Sequence, residues 1–253
     1  MKIGVVIPTY EEQENIKNIF IAFKKQKQHN FFFCFVDGSY TSKTRIEIKK
    51  YFKKKNYKII LEKKRKKIGF FKISTRCEAS FIGFDWLIKN KNLDLITDMD
   101  ADLSSSPKDI KKAVELYKRN NSDLIIGSKY LKNSKVYNRQ LSRIIFSSIY
   151  TGICKLIISN NISDYSAGYR FFKPKSLKKM IKKKLFFKSP AQHLENLLFY
   201  YENNYKISEF PAIYVDAKSN SKSIVLTHIF IYMFQLLIIV LRFYLRSIKK
   251  IFK

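Results

Sequence analysis

The feature that most constrains the fold is a regular alternation of short apolar runs with segments of helical periodicity. The apolar runs have the length of β-strands and cover residues 2–8, 31–37, 57–61, 93–98 and 123–127. Between them, apolar residues recur at helical spacing over residues 12–25, 44–55, 74–89 and 108–119. This alternation predicts an α/β domain with a mostly parallel sheet and helices on both faces. Because the first strand begins at residue 2, we expect no signal peptide before it.

The chain beyond residue 130 lacks this regular alternation. The pattern there predicts a loop at 131–138, a long apolar helix at 141–159, a helix near 191–203 and a strand near 206–214. A polar stretch at 216–223 then leads to a strongly apolar segment. We therefore predict one domain at residues 1–222 and a helical tail at residues 223–253.

Polar and acidic residues follow several of the predicted strands. In open parallel sheets, ligands bind beyond the carboxyl ends of the strands, so these residues mark the expected site. The segments are Pro8-Thr9-Tyr10-Glu11-Glu12, Asp37-Gly38-Ser39, Asp98-Met99-Asp100-Ala101-Asp102 and Gly127-Ser128-Lys129-Tyr130. Because the protein has a formal net charge of +30, acidic groups gathered at one edge of the sheet indicate a functional role for that edge.

Asp100 and Asp102 are separated by one residue at the end of the fourth predicted strand. Where a strand gives way to a turn, both carboxylates can face one point, and their mutual repulsion favours a divalent cation. Oxygen ligands select hard ions, so we expect Mg²⁺ or Mn²⁺, which would neutralise charge on a leaving diphosphate. The alternative is an Asp-rich turn that caps the next helix, which Ser105, Ser106 and Pro107 would begin.

The net charge of +30 favours a polyanionic partner such as nucleic acid, anionic lipid or a phosphorylated substrate. A solvated lysine-rich surface is the alternative. Nucleic-acid binding would explain neither the acidic edge nor the apolar tail, and the sequence contains no recognised motif for it, so we expect no nucleic-acid partner. Cys34, Cys77 and Cys154 lack metal-ligand spacing and predict reduced thiols in a cytosolic compartment.

The tail contains a largely apolar stretch at 224–241, interrupted by His228 and Gln235 and followed by a basic segment at 242–253. This length is the lower limit for a membrane span. We expect a helix that lies in the membrane interface with its basic residues on anionic headgroups. One alternative is a single span, which would place the basic segment on the wrong side for a cytoplasmic domain. The other is a core helix packed on the domain.

Five segments, in this order, carry a family resemblance. They are VVIPTYEEQENI (5–16), TDMDADLSSSPKDI (97–110), DLIIGSKY (123–130), DYSAGYRFF (164–172) and EFPAIYVD (209–216), the last followed by Ser221 and Lys222. Over residues 3–222 the chain resembles glycosyltransferase family 2, and most closely its dolichol-phosphate and polyprenol-phosphate mannose synthases. The resemblance implies a GT-A (Rossmann-like) fold. It also implies a nucleotide-sugar donor, either GDP-mannose or a UDP-hexose, and a polyprenyl phosphate acceptor at the cytoplasmic face of a membrane.

The resemblance also implies roles for individual residues. Those implied to bind the base and ribose of the nucleotide are Pro8, Tyr10, Glu12 and Asp37. Those implied to hold the metal are Asp100, Asp102 and, at the position of a further ligand, Ser104. Those implied to contact phosphates are Lys129, Arg143, Arg170 and Lys222.

Some segments depart from the family pattern. The segment VDGSYTSKT (36–44) stands where the family has VDDGSxDGT, so one Asp of a pair and a later Asp are missing. A glycine-rich segment of the family is reduced here to KIGFFK (67–72), and Glu11 replaces an Asn. Lys129 replaces an Arg, which keeps the charge and loses bidentate geometry. These differences bear on the base and ribose and leave GDP and UDP donors open.

The implied acceptor phosphate carries an anionic oxygen, so its attack on the anomeric carbon needs no general base. Catalysis with inversion would then rest on positioning and electrostatics. The alternative is a family 2 transferase that glycosylates a sugar hydroxyl of a polysaccharide or lipid precursor. That reaction would need a carboxylate base, for which Asp164 is the candidate. The sequence does not indicate the oligomeric state.

Overall fold

The computed structural model describes residues 1–62, 76–183, 191–216 and 226–251. The strands in these residues are β1 (Lys2–Thr9), β2 (Asn30–Asp37), β3 (Tyr57–Leu61), β4 (Leu95–Asp98), β5 (Leu124–Ser128), β6 (Lys135–Tyr137), β7 (Arg170–Phe172), β8 (Ile207–Pro211) and β9 (Ile213–Val215). The helices are α1 (Gln13–Lys24), α2 (Lys43–Tyr51), α3 (Arg76–Asn90), α4 (Ile110–Asn120), α5 (Leu141–Ile157), α6 (Pro174–Lys182), α7 (Gln192–Glu202) and α8 (Leu226–Ile251).

The larger sheet has the strand order β3-β2-β1-β4-β7-β5-β8. Strands β1 to β4 pair in parallel, as do β5 and β8, whereas β7 runs antiparallel to both β4 and β5. The predicted mostly parallel sheet with helices on both faces is therefore confirmed. Its carboxyl-terminal edge brings together the ends of β1, β2, β4 and β5, as the topology of such sheets requires.

Side chains alternate between the two faces of the sheet along β1. Ile3, Val5 and Ile7 are buried in one core cluster with residues of α1, α2 and α4. Val6 belongs to the other cluster, which contains residues of α3, α5, α6, α7 and α8. Successive strand residues point to opposite faces, so one strand contributes to both cores. The buried strands thus read as continuous apolar runs in the sequence.

Helix α3 approaches the sheet closely at Gly83. A Cβ atom built on Gly83 would lie 2.4 Å from Val6 Cγ1 and 2.9 Å from Val6 Cγ2. The β-branched side chain of Val6 has little rotamer freedom, so it cannot easily move aside. The absence of a side chain at Gly83 therefore allows α3 to lie close to β1. This close packing also fixes where α3 begins at the carboxyl-terminal edge of the sheet.

The region after residue 130 differs from its prediction in four places, of which the first is helix α6 (Pro174–Lys182), which was not predicted. Residues 135–137, predicted as loop, form β6, which pairs in parallel with β9 in a separate small sheet. The predicted strand near 206–214 divides into β8 and β9, because the chain leaves the main sheet at Ala212. Ala212 donates its N–H to Ser128 O, while its carbonyl accepts from Lys135 N. The buried strand β7 was not predicted, since three residues carry no periodicity.

Helix α8 packs one face against the domain. Leu236, Ile239, Val240 and Phe243 are buried in the same core cluster as residues of α5 and α7. The opposite face is apolar and exposed, and it carries Phe234, Leu237, Leu241, Tyr244 and Leu245. Within residues 1–62, 76–183, 191–216 and 226–251, no helix combines the length and the apolarity that crossing a bilayer requires. Residues 217–225 of the predicted tail and of the polar stretch before it lie outside the described residues.

Candidate active site

A tight turn directs the two metal-ligand candidates into one cavity. Strand β4 ends at Asp98, and Leu103 adopts a left-handed conformation with φ 58° as the chain turns. Leu103 N donates to Asp100 O, and Asp102 Oδ1 accepts from Ser104 N at 2.9 Å, which is how an Asp side chain stabilises a turn. Asp100, Asp102 and Ser104 all line a cavity of about 420 Å³.

Among the residues that the structure describes, the cavity is lined by equal numbers of acidic and basic side chains. The acidic ones are Asp98, Asp100, Asp102 and Asp216. The basic ones are Arg76, Lys129, Arg139 and Arg143. A cavity with both signs of charge can bind a metal ion and phosphate groups next to each other, because each needs partners of opposite charge.

The oxygen donors at this site fit the expected Mg²⁺ or Mn²⁺. Asp100 and Asp102 supply two carboxylates on one cavity wall, and Ser104 adds a hydroxyl. The described part of the chain contains no group of three or more His, Cys, Asp or Glu side chains arranged to hold a metal. Two carboxylates are nevertheless the donor set that Mg²⁺ takes where substrate phosphates and water complete its shell. The metal-ligand roles of the three residues stay a prediction.

Asp98 is a buried carboxylate at the floor of the cavity. Ser80 Oγ donates to its Oδ2 at 2.9 Å, and Arg76 Nη1 lies 3.3 Å from the same oxygen. Burial raises the pKa of Asp98, while Arg76 and the Ser80 hydrogen bond lower it. Arg76 Nε also donates to Asp100 Oδ1, so one guanidinium bridges two carboxylates.

Lys129 and Asp164 form a buried ion pair beside the cavity. Lys129 Nζ lies 2.8 Å from Asp164 Oδ2, and the Lys129 backbone N–H donates to the same oxygen at 2.9 Å. Asp164 Oδ1 accepts from Ser166 N at 3.0 Å and from Ser166 Oγ at 2.8 Å. Burial would raise the pKa of Asp164, but the Lys129 ammonium and these hydrogen bonds hold it below its usual value. Asp164 is therefore a satisfied counter-ion with no exposed oxygen, since its side chain is fully buried.

Arg139 and Arg143 share one carboxylate at the rim of the cavity. Arg143 Nη1 lies 3.5 Å from Asp216 Oδ2, and Arg139 Nη1 lies 3.9 Å from Asp216 Oδ1. These separations are longer than direct hydrogen bonds, so Asp216 acts on the two guanidiniums as a nearby counter-charge. Arg143 lies in the first turn of α5, and Arg139 lies two residues before the helix begins.

Arg170 is not brought to the cavity wall. Its side chain is buried, Nε donates to Ala167 O at 2.9 Å, and Nη1 donates to His193 O at 2.6 Å. Two nitrogens of the Arg170 guanidinium thus contact backbone carbonyls, its Nη2 has no hydrogen-bond partner among the described residues, and its contact with a phosphate stays a prediction. His193 does line the cavity, and burial together with Arg170, Arg76 and Lys129 lowers its pKa well below the usual range.

The residues predicted to bind the base lie at the ends of β1 and β2. Pro8 is half-buried and Tyr10 is exposed. The pKa of Glu12 is raised, mainly by burial and also by the nearby charges of Asp102 and Asp100. Asp37 is buried and already engaged, because Arg45 Nη1 lies 2.7 Å from its Oδ2. Lys222 lies outside the described residues.

Asp37 Oδ1 is occupied as well. It accepts from Thr9 Oγ1 at 3.0 Å and from Ser39 Oγ at 2.5 Å. In this structure Asp37 therefore organises the turn between β2 and α2. A direct contact with base or ribose would have to replace one of these bonds.

Sequence reasoning missed several residues of the cavity. Arg139 lies two residues before the predicted helix, and only its closeness in sequence to Arg143 points to it. Asp98 was placed at this edge of the sheet with its segment, but its buried basic partner, which a charged residue at the end of an apolar strand requires, was not inferred. That partner, Arg76, gives no local signal, because it is distant in sequence and preceded by other basic residues.

Comparisons with known proteins show the family to which the chain belongs. The family model for glycosyl transferase family 2 matches residues 4–181. The dolichol-phosphate mannosyltransferase of Pyrococcus furiosus is 32% identical over 172 residues, which are 67% of this chain and 45% of that protein. The polyprenol monophosphomannose synthase of Mycolicibacterium smegmatis is 28% identical over 102 residues, which are 40% of this chain and 38% of that protein. The matched regions thus span less than half the length of either relative.

A solved structure shares the fold at low sequence identity. The glucosyl-3-phosphoglycerate synthase of Mycobacterium tuberculosis, in complex with Mn²⁺, uridine-diphosphate-glucose and phosphoglyceric acid, aligns with a TM-score of 0.64 and 11% identity. The alignment covers 94% of this chain and 79% of that one. At this identity the likeness establishes the fold alone.

Proposed function

Since the chain belongs to glycosyl transferase family 2, we propose that it transfers a hexose, with mannose the first candidate, from a nucleotide-sugar to a polyprenyl phosphate. The names of the two curated relatives support this acceptor and this sugar. The nucleotide-sugar and Mn²⁺ bound by the glucosyl-3-phosphoglycerate synthase support a metal-assisted use of the donor. The donor remains either GDP-mannose or a UDP-hexose.

The observation that carries the proposal is the composition of one cavity. Asp100 and Asp102 line it together with Arg139 and Arg143, whose guanidiniums lie 3.9 Å and 3.5 Å from Asp216. The carboxylates suit a metal that binds a leaving diphosphate. The guanidiniums suit a second phosphate, which in this reaction is the acceptor. A transferase with a phosphate acceptor needs both kinds of group in a single cleft.

In the proposed reaction, different residues act on the leaving diphosphate and on the acceptor phosphate. A bound Mg²⁺ or Mn²⁺ would supply Lewis-acid neutralisation of the leaving diphosphate. Asp100 and Asp102 hold their carboxylates on the cavity wall for that ion, and Ser104 N–H fixes the orientation of Asp102. Arg139 and Arg143 orient the acceptor phosphate for in-line attack, which inverts the anomeric centre. The phosphate oxygen is already anionic, so no proton has to be removed first.

Two candidate bases among the described residues, Asp164 and His193, are poorly suited to the alternative reaction on a sugar hydroxyl. Asp164, the candidate base, is buried in an ion pair with Lys129, and its pKa is lowered. His193 lines the cavity, but its pKa is also lowered well below the usual range. A general base works best with a pKa near the working pH, and neither group meets that condition. These features favour the phosphate acceptor.

We also propose that the exposed apolar faces of α5 and α8 lie on the cytoplasmic surface of a membrane. The α5 face carries Leu141, Ile145, Ile149 and Leu156, and Tyr244 Oη of α8 donates to Ile157 O at the end of α5. The two helices are therefore neighbours, and the net charge of +30 attracts anionic headgroups. Arg143 lies in the first turn of α5, two residues after Leu141 of this face, so the proposed membrane contact and the rim of the cavity share the start of one helix.

The decisive experiment is to identify the product. The protein is incubated with Mn²⁺, a polyprenyl phosphate and each of a panel of GDP- and UDP-sugars, and the lipid product is identified by mass spectrometry. We expect a glycosyl phosphoryl polyprenol with one donor. Transfer to a lipid or oligosaccharide hydroxyl, with none to the phosphate, would contradict the proposal.

Two variants test the metal-binding carboxylates in the same assay. Asp100→Ala or Asp102→Ala should lower turnover at least about a thousandfold and remove metal-dependent donor binding, as expected when electrostatic stabilisation of a leaving group is lost. Asp85→Ala, which removes an exposed carboxylate paired with Lys89 on α3, is the matched control and should retain activity. Full activity in either cavity variant, or in the presence of a chelator, would reject the metal role.

A further inference from the structure

Arg76, the first residue of α3, contacts two carboxylates of the cavity at once. Its Nε donates to Asp100 Oδ1, and its Nη1 lies 3.3 Å from Asp98 Oδ2. We propose that Arg76 is a positioning residue that occupies Asp100 as a resident counter-cation and competes with a divalent metal for that carboxylate. The inference rests on the proposed function, in which Asp100 is a metal ligand.

The two contacts of Arg76 differ in strength because their partners differ in burial. The Asp98 side chain is 5% exposed, whereas that of Asp100 is 41% exposed. A buried carboxylate without a cation would be very costly, so the Arg76–Asp98 contact is the anchor. The contact with Asp100 is the one that solvent and other ions can replace. The Arg76 side chain itself keeps 27% of its surface exposed, which leaves it room to turn toward the cavity.

Asp100 and Asp102 are consequently not equivalent. Within the described residues, Asp102 is in no ion pair, and its Oδ1 only accepts from Ser104 N. Asp100 Oδ1 is in contact with Arg76, and this oxygen becomes available to a metal only when the guanidinium leaves it. Arg76 would then turn about its Asp98 anchor toward the nearest remaining anion, which in the proposed reaction is the donor diphosphate. Metal and donor would therefore bind cooperatively, because each stabilises the same position of Arg76.

The test measures metal binding in the absence of any donor. Mn²⁺ binding to the wild-type protein and to Arg76→Gln is followed by electron paramagnetic resonance of free Mn²⁺. The glutamine amide can still donate to Asp98 but carries no charge to hold Asp100. We expect Mn²⁺ to bind about tenfold more tightly to the variant, a change that equals about 1.4 kcal/mol. Arg76→Lys is a second variant for the same measurement of Mn²⁺ affinity. Because one ammonium cannot span both carboxylates, this variant should also bind Mn²⁺ more tightly than wild type.

The control removes a positive charge from the same helix at a distance from the cavity. Lys89→Gln breaks the exposed pair between Lys89 Nζ and Asp85 and should leave the affinity for Mn²⁺ unchanged. Equal or weaker Mn²⁺ binding by the Arg76 variants than by wild type would overturn the inference while leaving the proposed function intact. Absence of Mn²⁺ binding by every variant and by wild type would overturn both the inference and the metal role in the proposed function.

Discussion

Replacing Asp164 with Asn should destabilise the protein strongly, because the change removes one half of a buried ion pair. Lys129 Nζ lies 2.8 Å from Asp164 Oδ2, and only 5% of the Lys129 side chain and none of the Asp164 side chain is exposed. Removing one partner of such a pair leaves an uncompensated buried charge and costs about 3–5 kcal/mol. Asn keeps the size of the side chain and can still accept from Ser166, so the lost charge is the main change.

The pH dependence of this effect has a definite sign. The pKa of Asp164 is lowered in the folded protein, while the unfolded value is about 3.9. A carboxyl group whose folded pKa is depressed contributes its full stabilisation above the unfolded pKa and loses it as the pH falls through the folded pKa. The stability difference between wild type and Asp164→Asn should therefore be greatest near neutral pH. It should shrink below about pH 4, where the unfolded chain takes up the proton first.

Urea unfolding followed by circular dichroism measures the difference directly. For a chain of this size the expected loss corresponds to a fall in melting temperature of roughly 6–20 °C, taking about 2–4 °C for each kcal/mol. The double variant Lys129→Met/Asp164→Asn removes both charges and should recover much of the loss, because a buried pair can be replaced by apolar groups at little net cost. A loss below about 1 kcal/mol for Asp164→Asn, with turnover abolished, would refute the reasoning and favour Asp164 as a catalytic base.

Two further predictions follow from packing and exposure. Leu237→Asp with Leu241→Asp, both on the exposed face of α8, should release the protein from anionic vesicles in a flotation assay without changing its melting temperature, and retained binding would count against α8 as the membrane contact. Gly83→Ala should lower the unfolding free energy by about 1–3 kcal/mol because its Cβ would meet Val6. Gly152→Ala, on α5 with open space around it, should be neutral or stabilising in the same urea titration.

The fold could be predicted largely because β1 to β5 and the helices between them carry clear periodicity. Strands β1, β2, β4 and β5 are largely buried on both sides and are continuous apolar runs, whereas the edge strand β3 is partly exposed, and the helices each carry an apolar stripe. The same reasoning failed for β7, since Arg170–Phe172 is short and enters the sheet between β4 and β5. It also failed for β6, which is exposed and is held by its pairing with β9 instead of by an apolar pattern.

Prediction of the candidate site was limited in a similar way, because sequence patterns do not show which side chains will contact each other. Asp100 and Asp102 could be placed at the cavity because they follow a predictable strand. The environments of Asp164 and Arg170 could not be predicted, because they depend on partners that are distant in sequence or on backbone carbonyls. Asp164 is neutralised by Lys129, and Arg170 is used to hold the carbonyls of Ala167 and His193. Residue type predicts what a side chain can do, whereas burial and partners decide what it does.

The distribution of charge separates long-range attraction from short-range recognition. The chain has 50 Lys and Arg against 20 Asp and Glu, yet the described residues that line the cavity include four of each sign. Among the described residues the surplus of positive charge therefore lies mostly outside the cavity, where it would attract anions such as lipid headgroups and phosphates and is screened by salt. Inside, Asp98 is paired with Arg76 and Asp216 with Arg143. Under the proposed function, an incoming phosphate would meet cations that already have a carboxylate contact, so the geometry of these contacts would contribute more to its selection than net charge does.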